Sequence, residues 1–114
     1  MKNKMIGKLG EQIAVDYLVK NSYIILERNY SNSKGEIDII AFKDKKIIVV
    51  EVKTRKNDDF AFASESVNYK KIRNIKTVAN DYIFRNGLFE YNIRFDIIEC
   101  YWELKEIRHI KNAF

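Results

Sequence analysis

Gly35-Glu36-Ile37-Asp38-Ile39-Ile40 and, after a polar break, Val49-Val50-Glu51-Val52-Lys53 decide how this chain folds. Both runs have the apolar character of buried β-strands, yet each carries charge in its interior. Burying an unpaired carboxylate costs several kcal/mol or forces it to take up a proton. Asp38 and Glu51 must therefore have a partner, or must be the reason the strands exist.

The break between the runs, Lys43-Asp44-Lys45-Lys46, predicts a hairpin. A symmetric turn at Asp44-Lys45 sets residues equidistant from it across from one another. Asp38 then faces Glu51, Glu36 faces Lys53, and Ile40 faces Val49. Side chains alternate along a strand. Glu36, Asp38, Ile40, Val49, Glu51 and Lys53 share one face. Ile37, Ile39, Ala41, Ile48, Val50 and Val52 share the other, which is wholly apolar and predicts the core face.

Opposed Cβ atoms lie about 5 Å apart, and like charges there destabilise the ladder. A hard divalent cation between the two acids removes the conflict. Mg²⁺ sites use one or two carboxylates completed by water and substrate phosphate. With Lys53 beside them, the acids suggest a Mg²⁺-dependent phosphodiester hydrolysis site. The competing reading is an edge hairpin with one solvated, incidentally charged face. A bulge would also break the register.

A length of 114 residues predicts one domain, spanning residues 1–114. The formal charge of +5 is a moderate bias toward a polyanionic partner. Lys70, Lys71, Arg73 and Lys76 cluster in one segment while the acids gather in the hairpin. Lys70, Arg73 and Asn74 share a helix face with Tyr69 beside it, a candidate phosphate-contacting surface or simply a solvated one.

The single cysteine, Cys100, excludes an intramolecular disulfide, fits a cytoplasmic setting and predicts a small core residue. The single histidine, His109, has no companion at metal-ligand spacing, which argues against histidine-based zinc chemistry and a serine triad. No apolar run approaches the roughly 20 residues that span a membrane, and no hydrophobic signal core follows the first lysines. Tyr101, Trp102 and Phe114 are candidates for an exposed patch, with a core role favoured.

Periodicity predicts an amphipathic helix from Lys4 to Lys20, ended by Asn21-Ser22. A strand over Tyr23–Tyr30 and a turn over Ser31–Lys34 lead into the hairpin. A charged loop is expected from Thr54 to about Ser64, then a helix from about Ser66 to Asn86 stopped by Gly87. Strands over Ile93–Tyr101 and Glu103–Ile110 close the chain. This order predicts a mixed sheet with helices packed on it. Glu11, at the border of the first helix's apolar stripe, reads from position alone as a surface glutamate, with a place at the metal site as the other reading.

Asp38 followed by Glu51-Val52-Lys53 resembles the PD-(D/E)XK nuclease superfamily. Gly7-x-x-Gly10-Glu11 with Ala14, Tyr17 and Leu18, Arg28-Asn29-Tyr30, Gly35 to Ala41, Val50 to Arg55 and Arg94-Phe95-Asp96 together resemble its YraN-like branch. These are small bacterial proteins regarded as endonucleases related to archaeal Holliday junction resolvases. The resemblance covers nearly the whole chain. It departs from the superfamily name in having Ile37, not proline, before Asp38. It implies a three-layer α/β/α restriction-endonuclease-like fold with a mixed central β-sheet.

It also implies a catalytic set of Asp38, Glu51 and Lys53 and moves Glu11 to the metal. The ligands to Mg²⁺ or Mn²⁺ would be Asp38, Glu51, Glu11 and the Val52 carbonyl. Lys70, Lys71, Arg73 and Arg55 would contact nucleic acid, DNA foremost, with branched, linear and RNA substrates all left open by the sequence. Resolvases act as symmetric dimers, so a homodimer is expected by analogy. The alternatives are a nucleic-acid-binding module without catalysis and a protein-interaction domain whose basic surface is incidental.

Overall fold

Alternating apolar strands and amphipathic helices can bury both faces of a sheet only by sandwiching it, and this chain does so. The computed structural model describes residues 2–56 and 68–114. In chain order the elements are α1 (Lys2–Lys20), β1 (Ile24–Asn32), β2 (Gly35–Lys43), β3 (Lys46–Arg55), α2 (Tyr69–Asn86), β4 (Asn92–Tyr101) and β5 (Glu106–Ile110). The five strands lie in the order β1-β2-β3-β4-β5. Every neighbouring pair is antiparallel except β3 and β4. That parallel pair is the one joined through a helix, as a parallel crossover requires.

The β2–β3 hairpin has the symmetric register read from the sequence, Lys43 opposite Lys46 through Ile39 opposite Val50. Asp44 and Lys45 both take left-handed φ values, 51° and 61°. This is the two-residue turn whose twist matches the strands. α2 begins on Asn68, whose side chain accepts from the Lys71 N–H, and ends at Gly87 in the left-handed region, φ 61°. Thr54 and Arg55 belong to β3 rather than to a loop. The remainder of the expected loop and the expected helix start at Ser66 lie outside the described residues. The first helix starts at Lys2, β1 runs on to Asn32, and the last strand begins at Glu106 rather than Glu103.

The wholly apolar face read as the core is one of two, because helices cover both faces of the hairpin as a three-layer fold requires. α1 packs Ala14, Val15 and Leu18 on Ile39, Ala41, Ile48 and Val50, with Ile98 and Cys100 of β4. α2 packs Ile75, Val78, Ala79 and Tyr82 on Ile40, Ile47 and Val49. The face bearing the acids is thus apolar and covered near the turn and polar only at its far end. Ile37, expected beside Ile39, joins the α2 cluster. Of the aromatic trio, Tyr101 is buried, while Trp102 and Phe114 are half-buried, Phe114 stacked on Phe95 at 5.5 Å. No helix among the described residues is long and apolar enough to cross a membrane.

Two contacts lock α1 against the sheet. Gly10 lies against Thr54 of β3 so closely that a Cβ there would collide with the threonine side chain. The Cys100 thiol donates to the Gly10 carbonyl at 3.4 Å. Burial pushes that thiol up to about 11, so Cys100 packs as a small core residue.

The second lock is Asp96, which has no exposed surface. It accepts from Arg94 Nε at 2.9 Å and Nη2 at 2.8 Å, from His109 Nε2 at 2.7 Å and from the Asn112 N–H at 3.0 Å. Burial pushes its carboxyl up, but these donors outweigh burial and hold it at about 2. His109 Nδ1 is then left to accept from the Tyr17 hydroxyl of α1 at 3.0 Å. Arg94 donates to Tyr23 at 2.9 Å.

Two outcomes follow for denaturant unfolding. Gly10→Ala, ordinarily a gain in a helix, instead costs about 1–3 kcal/mol through overpacking on Thr54, and Thr54→Ala recovers part of the loss. Asp96→Ala costs about 3–5 kcal/mol, because it leaves the part-buried Arg94 and His109 without their shared acceptor. A neutral result for either would remove that contact from the account.

Candidate metal and phosphate site

The strands that carry the acids stop pairing at the acids. Beyond Ile39 and Val50 the β2–β3 ladder ends. The Val52 N–H, which a continuing ladder would direct at the β2 backbone, is taken by Asp38 Oδ2 at 2.8 Å. This corrects the direct ladder pairing expected for Asp38 with Glu51 and for Glu36 with Lys53. The acids instead meet through their side chains, where the two carboxyls hydrogen-bond to each other. Below about pH 7 the Asp38 carboxyl keeps the proton that such a bond needs. Glu36 is exposed and pairs across β1 with Ser31.

Asp38 titrates far above the usual carboxylate range, at about 7. Burial is the main cause, and the Glu51 charge is the next. The Val52 N–H pulls the other way, and Glu11 adds a further upward push. The helix-one glutamate is therefore close enough for its charge to act on the pair. Glu51 is itself 6% exposed. Its oxygen Oε1 lies 3.1 Å from Lys71 Nζ, which crosses from α2.

Lys53 stands beside them, and its amine is within hydrogen-bonding reach of Lys71. Burial, then the neighbouring Lys71, lowers Lys53. Burial also lowers Lys71, but the Glu51 charge and further contacts raise it overall. Of the two amines, Lys53 gives up its proton more readily. Its register partner on β4 is the buried Glu99, which lies across from Arg108 on β5. Gly35, Glu36, Asp38, Glu51, Lys71, Asn74 and Ile75 line a cleft of about 270 Å³ over this group.

The expected basic surface divides in two. Lys70 and Arg73 are exposed on α2 and Arg55 is exposed at the end of β3. Lys71 turns inward to Glu51, and Asn74, expected with Lys70 and Arg73, lines the cleft. Lys76 lies 5.4 Å from the Phe95 ring centroid. Of the residues singled out in the sequence, Asp38, Glu51 and Lys53 lie together, with Glu11 close enough for its charge to act on Asp38. Sequence reading missed the inward role of Lys71, whose signal was one helical step from Ile75, a member of the buried stripe. It also missed the Asp96–His109 pair, which only the β4–β5 register brings together.

The donor set suits a hard cation. Both acids offer oxygen ligands, and here the Val52 N–H meets Asp38 while the Lys71 ammonium meets Glu51. Among the described residues no group of three His, Cys, Asp or Glu side chains stands close enough to hold a metal ion. Two carboxylates are within what Mg²⁺ takes from a protein, with water and phosphate completing its shell.

Fold and site together define a small α/β/α sandwich with a buried acidic pair and two lysines at the point where its central strands part. The chain belongs to a family described as Uncharacterised protein family UPF0102, whose pattern matches residues 10–100. It is 50% identical over 114 residues to the UPF0102 protein of Clostridioides difficile, covering all of both chains. A UPF0102 protein of Clostridium beijerinckii is 48% identical, with 98% of this chain and 94% of the relative aligned. One from Alkaliphilus oremlandii is 47% identical, with 98% of this chain and 99% of the relative aligned.

The Asp38 shift predicts a pH dependence for the metal-free fold. A carboxyl whose folded value lies above its unfolded value of about 3.9 stabilises the fold when protonated. That contribution is complete below the unfolded value and is lost as pH rises through about 7. Thermal melts in chelator should fall between pH 5 and pH 8, and Asp38→Asn should flatten that fall. Parallel pH profiles for the two proteins would show that Asp38 is not the titrating group.

Proposed function

We propose that this chain is a metal-dependent endonuclease that hydrolyses phosphodiester bonds in nucleic acid, DNA foremost, with branched or junction DNA among the candidates. The observation that carries the reading is the juxtaposition of the Asp38 and Glu51 carboxyls beside Lys53 and Lys71 where the β2–β3 ladder ends. A binding surface for phosphate gains nothing from buried acids, which repel it. An acidic pair inside a chain of charge +5 makes sense where a cation mediates between acid and phosphate. The resemblance to the PD-(D/E)XK superfamily adds support from the same residues.

Asp38 and Glu51 would hold Mg²⁺ or Mn²⁺, with Glu11 reaching it directly or through water and the Val52 carbonyl as a further donor. When bound, a divalent cation supplies a Lewis acid that polarises phosphate and acidifies water. The chain does the rest by position. The Val52 N–H fixes the Asp38 carboxylate. Lys53 orients the attacking water or sets positive charge against the phosphate as negative charge builds on it. Lys70, Arg73 and Arg55, exposed around this end of the sheet, hold the backbone of the nucleic acid. Two strands of a junction must be cut, so two copies of the chain would act together.

The test is a cleavage panel on linear, flap and four-way-junction DNA, with an RNA arm, in Mg²⁺, Mn²⁺ or chelator. Activity should require the metal. Asp38→Ala and Lys53→Ala should each lower it by at least about a hundredfold while the fold persists by circular dichroism. Equal activity in those variants would place the reaction elsewhere. Salt-sensitive DNA binding with no turnover in any arm would make the chain a binding module instead.

A further inference from the structure

Lys71 differs from its neighbours on α2. Lys70 and Arg73 point to solvent, whereas Lys71 is half-buried and spans the cleft to β3. Its backbone is fixed at the helix start, where its N–H donates to Asn68 Oδ1 at 2.9 Å. Its ammonium therefore reaches Glu51 from an anchored position. Nζ lies 3.1 Å from Oε1 of a carboxylate whose side chain is 8% exposed. A buried carboxylate deprived of its cation is costly, so Lys71 meets a real electrostatic need. It meets that need on the carboxylate that would also hold the divalent cation.

An ammonium on Oε1 and a divalent cation on the same carboxylate repel each other, most strongly where burial limits screening by water. Lys53, already within reach of Lys71, adds a second positive group to the same small space. We infer that Lys71 is a tethered counter-ion that holds Glu51 in the metal-free protein, competes with the incoming divalent cation, and so sets the metal affinity of the site. The inference rests on the metal-dependent reading above. It makes Lys71 a positioning residue whose removal strengthens metal binding, the opposite of what the loss of a ligand or of a phosphate contact would do.

The test is calorimetric titration of the full chain with Mn²⁺ at pH 8, for the wild type, Lys71→Met and Lys71→Arg. Lys71→Met should bind Mn²⁺ at least about fivefold more tightly than wild type, the lower bound of ordinary site-to-site coupling. Lys71→Arg, which keeps the competing charge, should stay near wild type. In chelator, Lys71→Met should melt lower than wild type and should regain more on adding Mn²⁺. If that variant is too unstable to titrate, Lys71→Gln carries the same expectation.

Unchanged or weaker binding in the neutral variants, with the wild type binding normally, overturns this inference and leaves the nuclease reading standing. Binding in the neutral variants alone supports it, because it identifies Lys71 as the block. No binding in any of the proteins overturns both.

Discussion

Two carboxyls, Asp38 and Glu51, meet where the β2–β3 ladder ends, and the surrounding structure is organised by what it takes to keep them there. The hairpin that delivers them is apolar on both faces near its turn, so its register is fixed by burial and cannot slip to separate them. The Val52 N–H that a longer ladder would consume is diverted to Asp38. The Lys71 ammonium neutralises Glu51, and burial beside that second acid raises Asp38 to about 7. Each of these features lowers the cost of an arrangement that the two acids alone would not tolerate.

Everything beyond the hairpin holds that arrangement still. α1 closes down on β3 through Gly10 and Thr54, which brings Glu11 to where its charge acts on Asp38. On the same face of the sheet, Asp96 ties Arg94, His109 and the chain after β5 into one hydrogen-bonded knot, and His109 passes the tie on to Tyr17 of α1. α2 covers the opposite face and sends Lys71 across the cleft. The glycine at the helix contact and the buried ion network are scaffold, and the acids with their lysines are site. A fold of this kind keeps the two apart, so the site can carry unfavourable electrostatics on a rigid frame.

The parts legible in the sequence are those with short-range causes. The turn at Asp44-Lys45 fixed the hairpin register by counting, and the alternation of Ile, Val and charge along β2 and β3 marked the site face. Gly87 marked the end of α2. What escaped were contacts between elements distant in the chain. Alternation alone suggested one buried face, because nothing in β2 says that a helix from residues after the hairpin will cover the other. His109 appeared solitary because its partners, Asp96 and Tyr17, become neighbours only through strand pairing and helix packing. Lys71 looked like one basic residue among four, and only the orientation of α2 distinguishes it from Lys70 and Arg73. Glu11 was raised by family resemblance rather than by helix position, since position favoured a surface role.

The central claim is that Asp38 and Glu51 form a cation site. Anomalous diffraction from crystals grown with Mn²⁺ tests it most directly. The account predicts an anomalous peak between the Asp38 and Glu51 carboxylates, with Lys71 withdrawn from Glu51. Crystals grown in millimolar Mn²⁺ above pH 7 that show no such peak, with Lys71 still on Glu51, would contradict it.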